Sequence, residues 1–145
     1  MKTRASIFTL IFLGLFVSTI WAQPNKEADD IKNTLTVIFD LSKADDFEGA
    51  AKYIVYSGDD NARKFVDTYN YKVRREAKDV KRITKKIKAL LDITDKYNFI
   101  DFKNETRDAN KIYIQMVNFV SSGQQLTTKF EFLKVGDKYL LLSVK

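Results

Sequence analysis

The chain has 145 residues, no histidine and no cysteine, and 25 Lys and Arg against 19 Asp and Glu, a formal net charge of +6. Without thiols there is no disulfide, thiol nucleophile or thiolate metal site; without imidazole there is no Ser-His or Cys-His nucleophile, ordinary zinc site or histidine pH switch. The modest positive surplus suits an anionic glycan, lipid head group or acidic protein, and no recognised nucleic-acid motif is present.

Residues 1–22 have the form of a secretory signal peptide. Lys2 and Arg4 make the charged start, Ile7 to Val17 the apolar stretch, and Ser18 to Ala22 a cleavage site with the cut after Ala22. The apolar run is short for a membrane span, and no cysteine follows that a lipid could modify. The expected mature chain, residues 23–145, is a single secreted or periplasmic domain with no transmembrane segment.

From Glu27 to Leu41, Ala28, Ile31, Leu35, Ile38 and Phe39 recur at helical spacing, with Glu27, Asp29 and Asp30 at the favourable N-terminal end. Asp45 or Asp46 then caps a second helix carrying Phe47, Ala50, Ala51, Ile54 and Val55 inward, which Gly58 closes. The short link predicts a helical hairpin.

Asn61 to Asp92 reads as one long amphipathic helix, capped by Asp59 or Asp60, with a bend near Tyr69-Asn70-Tyr71. Tyr69, Val73, Ala77, Val80, Ile83, Ile87, Leu90 and Leu91 form its apolar stripe. Arg74, Arg75, Lys78, Lys81, Arg82, Lys85, Lys86 and Lys88 point away from that stripe, either as a solvated face or as an anion-binding surface.

After Asp92 the period changes from about 3.6 to 2, and aromatic and β-branched residues take over. Tyr97 to Lys103, Lys111 to Val120, Gln125 to Val135 and Lys138 to Val144 read as four antiparallel strands. Asn104 to Asn110 is expected as a polar connection and Gly136-Asp137 as a two-residue hairpin loop. The predicted fold class is α+β: an N-terminal helical hairpin and a long helix packed on a curved four-stranded antiparallel sheet. Both faces of that sheet are apolar, with Ile112, Ile114, Met116 and Val120 opposite Tyr113, Val117 and Phe119. The second face therefore needs a cover: a homodimer contact, a bound partner, or curvature around a cavity.

This layout resembles the nuclear transport factor 2-like, cystatin-like cone superfamily, which includes the SnoaL and ketosteroid-isomerase-like domains. The stretch SKADDFEGAAKYI (Ser42 to Ile54) is similar to the second helix of that family, and TTKFEFLKVGDKYLLLSVK (Thr127 to Lys145) to its closing hairpin. Tyr53-Ile54-Val55-Tyr56 stands where the family has strand segments between its second and third helices. The resemblance implies a pocket between sheet and helix that takes small apolar molecules, and in some members isomerase chemistry.

Polar residues placed to face such a pocket are Tyr69, Glu76, Tyr97, Tyr113, Gln115 and Asn118. An isomerase-like site would pair a tyrosine with a carboxyl held neutral, at Glu76 or Asp101; the competing reading of Glu76 is an ion pair with Arg75 or Lys72. Asp59-Asp60-Asn61 lacks the spacing of a calcium loop, and Asn104-Glu105-Thr106 is a glycosylation sequon. No metal and no cofactor is implied. The leading reading is a non-catalytic exported domain that binds a small apolar molecule or a protein partner, as a homodimer through the outer sheet face. The alternatives are an anion-binding module using the basic helix and a carboxylate–tyrosine isomerase.

Overall fold

A computed structural model of the chain describes residues 25–145; the signal peptide expected at 1–22 lies outside them. Helix α1 spans Lys26–Lys43 and buries Ala28, Ile31, Leu35, Ile38 and Phe39. Its start is fixed by Asn25, whose Oδ1 accepts the Ala28 N–H, with Glu27 and Asp29 in the first turn against the positive end of the helix. Helix α2 is a short element, Phe47–Ala51, capped by Asp46, whose carboxylate accepts the Gly49 N–H at 2.8 Å.

Two expectations about the middle of the chain are corrected. The second helix stops at Ala51 instead of running to Gly58, because Ile54 and Val55 serve the sheet. The Val55 N–H donates to the Leu141 carbonyl at 2.9 Å, and the Leu141 N–H to that of Tyr53 at 2.8 Å. Ile54 thus bridges in parallel to Leu141, while Val55 bridges antiparallel to Thr68.

The long helix likewise begins at Arg74, not at Asn61; α3 is Arg74–Asp92. Residues 61–73 form turns and a short bridged segment, with Phe65 in the left-handed region at φ 66° and the Tyr69 N–H donating to the Ile54 carbonyl at 3.3 Å. Val66, Thr68, Tyr69, Tyr71 and Val73 are β-branched or aromatic, and their local preference is extended. Tyr69 is buried through that bridge and not through a helix face, and Val73 is 43% exposed. Neither Asp59 nor Asp60 caps α3; Asp59 pairs with Arg75, and Asp60 accepts the Ala62 N–H. The true buried stripe of α3 is Glu76, Val80, Thr84, Ile87 and Leu91, flanked by Ile83 and Leu90. Thr84 is accommodated because its hydroxyl donates to the Val80 carbonyl at 2.9 Å.

Four strands follow, β1 (Lys96–Arg107), β2 (Asn110–Ser121), β3 (Gln124–Val135) and β4 (Lys138–Val144), in the antiparallel order β1-β2-β3-β4. The fold is therefore α+β, helices first and an open sheet second, as the sequence resemblance implies. The polar connection expected over 104–110 is mostly strand: the turn is only Asp108-Ala109, both with positive φ (49° and 65°), which matches the twist of a tight hairpin. The Asn104-Glu105-Thr106 sequon thus lies in β1. A bulge at Ile100 interrupts the β1–β2 register, and β1 carries Lys96, Asp101, Lys103 and Glu105 exposed along the sheet edge.

The inner face of the sheet presents Tyr113, Val117, Phe119, Phe130, Phe132, Tyr139 and Leu141 to α1 and α3. Phe39 is the hub, with ring centroids 5.1 Å from Tyr97, 6.0 Å from Phe119 and 5.5 Å from Phe130. Each side chain of this size, fully buried, contributes about 1.5–3 kcal/mol. On the outer face Ile112, Ile114, Leu133 and Leu140 are buried in one cluster with Val55, against which Phe65, Met116, Val135 and Leu142 pack. The cover that the outer face needs is thus supplied at this end by the 54–69 segment of the same chain. Among the described residues no helix is long and apolar enough to cross a membrane.

Candidate functional site

Of the six residues proposed for a pocket, Tyr69 and Glu76 come together. Arg63 faces Glu76 as a fork, Nη1 to Oε1 at 2.8 Å and Nη2 to Oε2 at 3.2 Å. The same guanidinium donates to Asp67 and to the Thr68 carbonyl, both at 2.8 Å, and stands 4.4 Å from the Tyr56 ring centroid. Glu76 sits in the first turn of α3 and also accepts the Asn70 N–H at 2.6 Å. Tyr69 shares a hydrogen bond with Ser57 at 3.0 Å. Burial pushes the Glu76 carboxyl up, but the Arg63 fork and the Asn70 N–H outweigh it and hold it below the usual carboxylate range. Glu76 is ion-paired, as one reading of the sequence held, with Arg63 as the partner instead of Arg75 or Lys72. Beside the clamp lies an open cleft of about 500 Å³ reached by Lys52, Arg63, Asp67, Tyr69, Asn70 and Lys72.

The other four lie elsewhere. Tyr97 is half-buried against Phe39, its ring 5.8 Å from Phe99. Tyr113 sits at the far end of the inner face, where its hydroxyl donates to Glu27 at 3.2 Å and its ring meets Tyr139 at 5.0 Å. Burial first, then the charge on Glu27, pushes the neighbouring Tyr139 phenol up to about 12. Gln115 spends its amide N–H groups on the Asp101 and Met116 carbonyls, at 2.8 and 2.9 Å. Asn118 falls on the outer face by register and donates to Gln125 at 3.0 Å. Phe39 packs between helices and sheet, and beside it Tyr97 lines a cleft of about 370 Å³ with Asp40, Lys43, Leu91 and Thr94.

A different concavity stands out. Between the C-terminal end of α3 and the β2–β3 turn lies a cleft of about 360 Å³, lined by Leu90, Ile93, Phe119 and Leu126 with Thr94, Ser121, Gln124 and Gln125 around them. Ile93 is 64% exposed and Leu126 49%. Sequence reasoning placed Leu90 in the apolar stripe and Phe119 on a sheet face. It gave no means of seeing that Ile93 and Leu126, from a helix end and a hairpin, would share one hollow.

The eight basic residues of α3 divide into two groups. Arg75 pairs with Asp59, Arg82 with Asp79 and Lys88 with Asp45, and the Lys86 ammonium donates to the Val144 carbonyl. Arg74, Lys78, Lys81 and Lys85 have no ion-pair partner among the described residues, and with Ala77 they line a shallow groove of about 460 Å³.

Glu131, not singled out in the sequence, is the most buried acid described, at 1% exposure on the outer face. It accepts from Ser143 Oγ at 2.7 Å, Lys129 Nζ at 2.9 Å, Lys145 Nζ at 3.0 Å and Arg107 Nη2 at 3.2 Å. Burial pushes its carboxyl up; Arg107, Ser143 and the two lysines override that and hold it far below the usual range.

No protein-family profile and no curated protein matches the chain. Among solved structures it is similar to a designed nuclear transport factor 2-like protein, Rd1NTF2_05 with five substitutions, at 14% identity and a TM-score of 0.46, over 83% of this chain and 98% of that one.

Proposed function

We propose that this protein is an exported, non-catalytic binding domain that takes a small apolar molecule in the cleft formed by Leu90, Ile93, Phe119 and Leu126. The observation that carries the reading is the pair of large aliphatic side chains, Ile93 and Leu126, left about half or more exposed at one concave site. A mainly apolar hollow with a few hydroxyl and amide groups at its rim is the usual form of a small-ligand site. Export rests on the signal-peptide form of residues 1–22. An isomerase-like role is disfavoured physically: Glu76 is held ionised by Arg63 and so is not the neutral acid that such chemistry uses, and Asp101 lies exposed on β1. The homodimer loses its main motive, since Ile112, Ile114, Leu133 and Leu140 are buried within the chain.

The test is a ¹⁵N–¹H NMR titration of residues 23–145 with a panel of uncharged apolar probes such as indole and octanol. Shifts are expected to cluster on 90–94, 119 and 124–126, and Ile93→Ser with Leu126→Ser to weaken binding at least tenfold. Shifts that gather elsewhere, or none up to the solubility limit of the probes, would overturn the proposal. Capture of the cleft by a protein partner in place of a small molecule would do so too.

A further inference from the structure

We infer that the groove on α3 is a docking surface for a linear sulfated polysaccharide, held by Arg74, Lys78, Lys81 and Lys85. These four residues follow one another at steps of four, three and four. At about 100° per residue they fall within about 60° of one another, on a solvent-facing flank of the helix about 130° from the centre of the buried stripe. Over the eleven steps from Arg74 to Lys85 the row is about 16 Å long, roughly one cation every 5 Å. The sorting of partners on this helix is what separates the row from a solvated face. The intervening cations are engaged by Asp59, Asp79, Asp45 and the Val144 carbonyl, while all four members of the row are exposed and unpaired among the described residues. Lys81 is also held in place, its ammonium 5.6 Å from the Phe47 ring centroid and 5.7 Å from that of Tyr71.

The shape selects among anions. A straight row in a concave groove fits a chain lying along the helix. A lipid surface would call for exposed apolar side chains beside the cations, and the apolar face of α3 is committed to the core. Single-stranded nucleic acid would call for open aromatic faces to stack on, whereas the nearby Phe47 and Tyr71 are packed against the core and lie under Lys81. Charge density favours a heavily charged chain such as a sulfated polysaccharide: a polymer with one carboxylate per disaccharide would leave alternate cations unmatched. This surface and the apolar cleft involve different residues, so either can fail without the other.

The experiment is calorimetric titration of the mature chain with heparin across a series of NaCl concentrations. K78Q/K81Q/K85Q should weaken binding at least tenfold and reduce the slope of log K against log salt by about 2–3. R75Q/R82Q/K86Q removes the same net charge from the same helix and should weaken binding less than threefold. The single variant K85Q, at an exposed position, should give a partial loss with unchanged thermal unfolding. Fully desulfated heparin should not bind. Equal losses in the two triple variants would overturn the inference, as would retained binding of desulfated heparin or tighter binding to anionic vesicles or DNA.

Discussion

Glu131→Gln tests whether the buried ion cluster on the outer face holds the closing hairpin. The substitution keeps shape and removes charge, leaving Arg107, Lys129 and Lys145 crowded around a neutral amide. A hydrogen bond to a charged group contributes about 1.5–3 kcal/mol, but the three cations are 31–53% exposed and water takes over part of their solvation. The net cost should be about 2 kcal/mol, which for a domain of this size lowers Tm by roughly 6–10 °C. The sign with pH follows from the depressed native carboxyl: its contribution is complete above the unfolded value of about 4.3 and is lost as pH falls toward the folded value. Below about pH 4 the gap between wild type and variant should therefore narrow by about 1.4 kcal/mol per pH unit. Urea unfolding followed by circular dichroism from pH 7 to pH 3 reads both quantities. A gap under 0.5 kcal/mol at pH 7, or one that does not change with pH, would refute the reasoning.

Glu76→Gln should release the clamp over 61–73 at a cost of about 1–2 kcal/mol. Amide hydrogen exchange there should quicken about tenfold while α1 and β2 keep their protection; uniform acceleration would contradict the local role. Phe39→Ala, at the hub of the aromatic core, should cost about 3–5 kcal/mol, and a loss under 1.5 kcal/mol in urea would mean that the core does not converge there.

How far the sequence could be read depended on whether the signal was periodic. The step of three and four in α1 and in Val80 to Leu91, and the alternation in β2 to β4, were legible because one buried face repeats along each. Residues 61–73 were misread as helix since Tyr69 and Val73 continue the spacing by coincidence. The β-branched and aromatic residues there lean toward extended backbone, and Arg63 reaching thirteen residues ahead to Glu76 ties the segment down, a contact that the helical spacing does not reveal. Val55 was assigned to a helix face for the same reason, its partner being Leu141. Glu131 was overlooked because an acid between two phenylalanines reads as the wet side of a strand. The clue lay in the neighbours, Leu133 on its own strand and Ile114 opposite, which make that side apolar too. The six pocket candidates follow a family pattern, and in this chain they do not converge: Tyr69 borders the open cleft beside Arg63 and Tyr97 a separate cleft beside Phe39.

The margin of the sheet at β1 has a consequence for how molecules meet in concentrated solution. A twelve-residue strand with an open row of amides and carbonyls is an invitation to add another chain. Here the swelling at Ile100 throws the row out of line, and charges of both signs at Lys96, Asp101, Lys103 and Glu105 would be set against their own copies in a parallel in-register stack. Smoothing that margin, by straightening the bulge and replacing those charges with threonine or valine, would turn a self-limiting ribbon into a template for fibres.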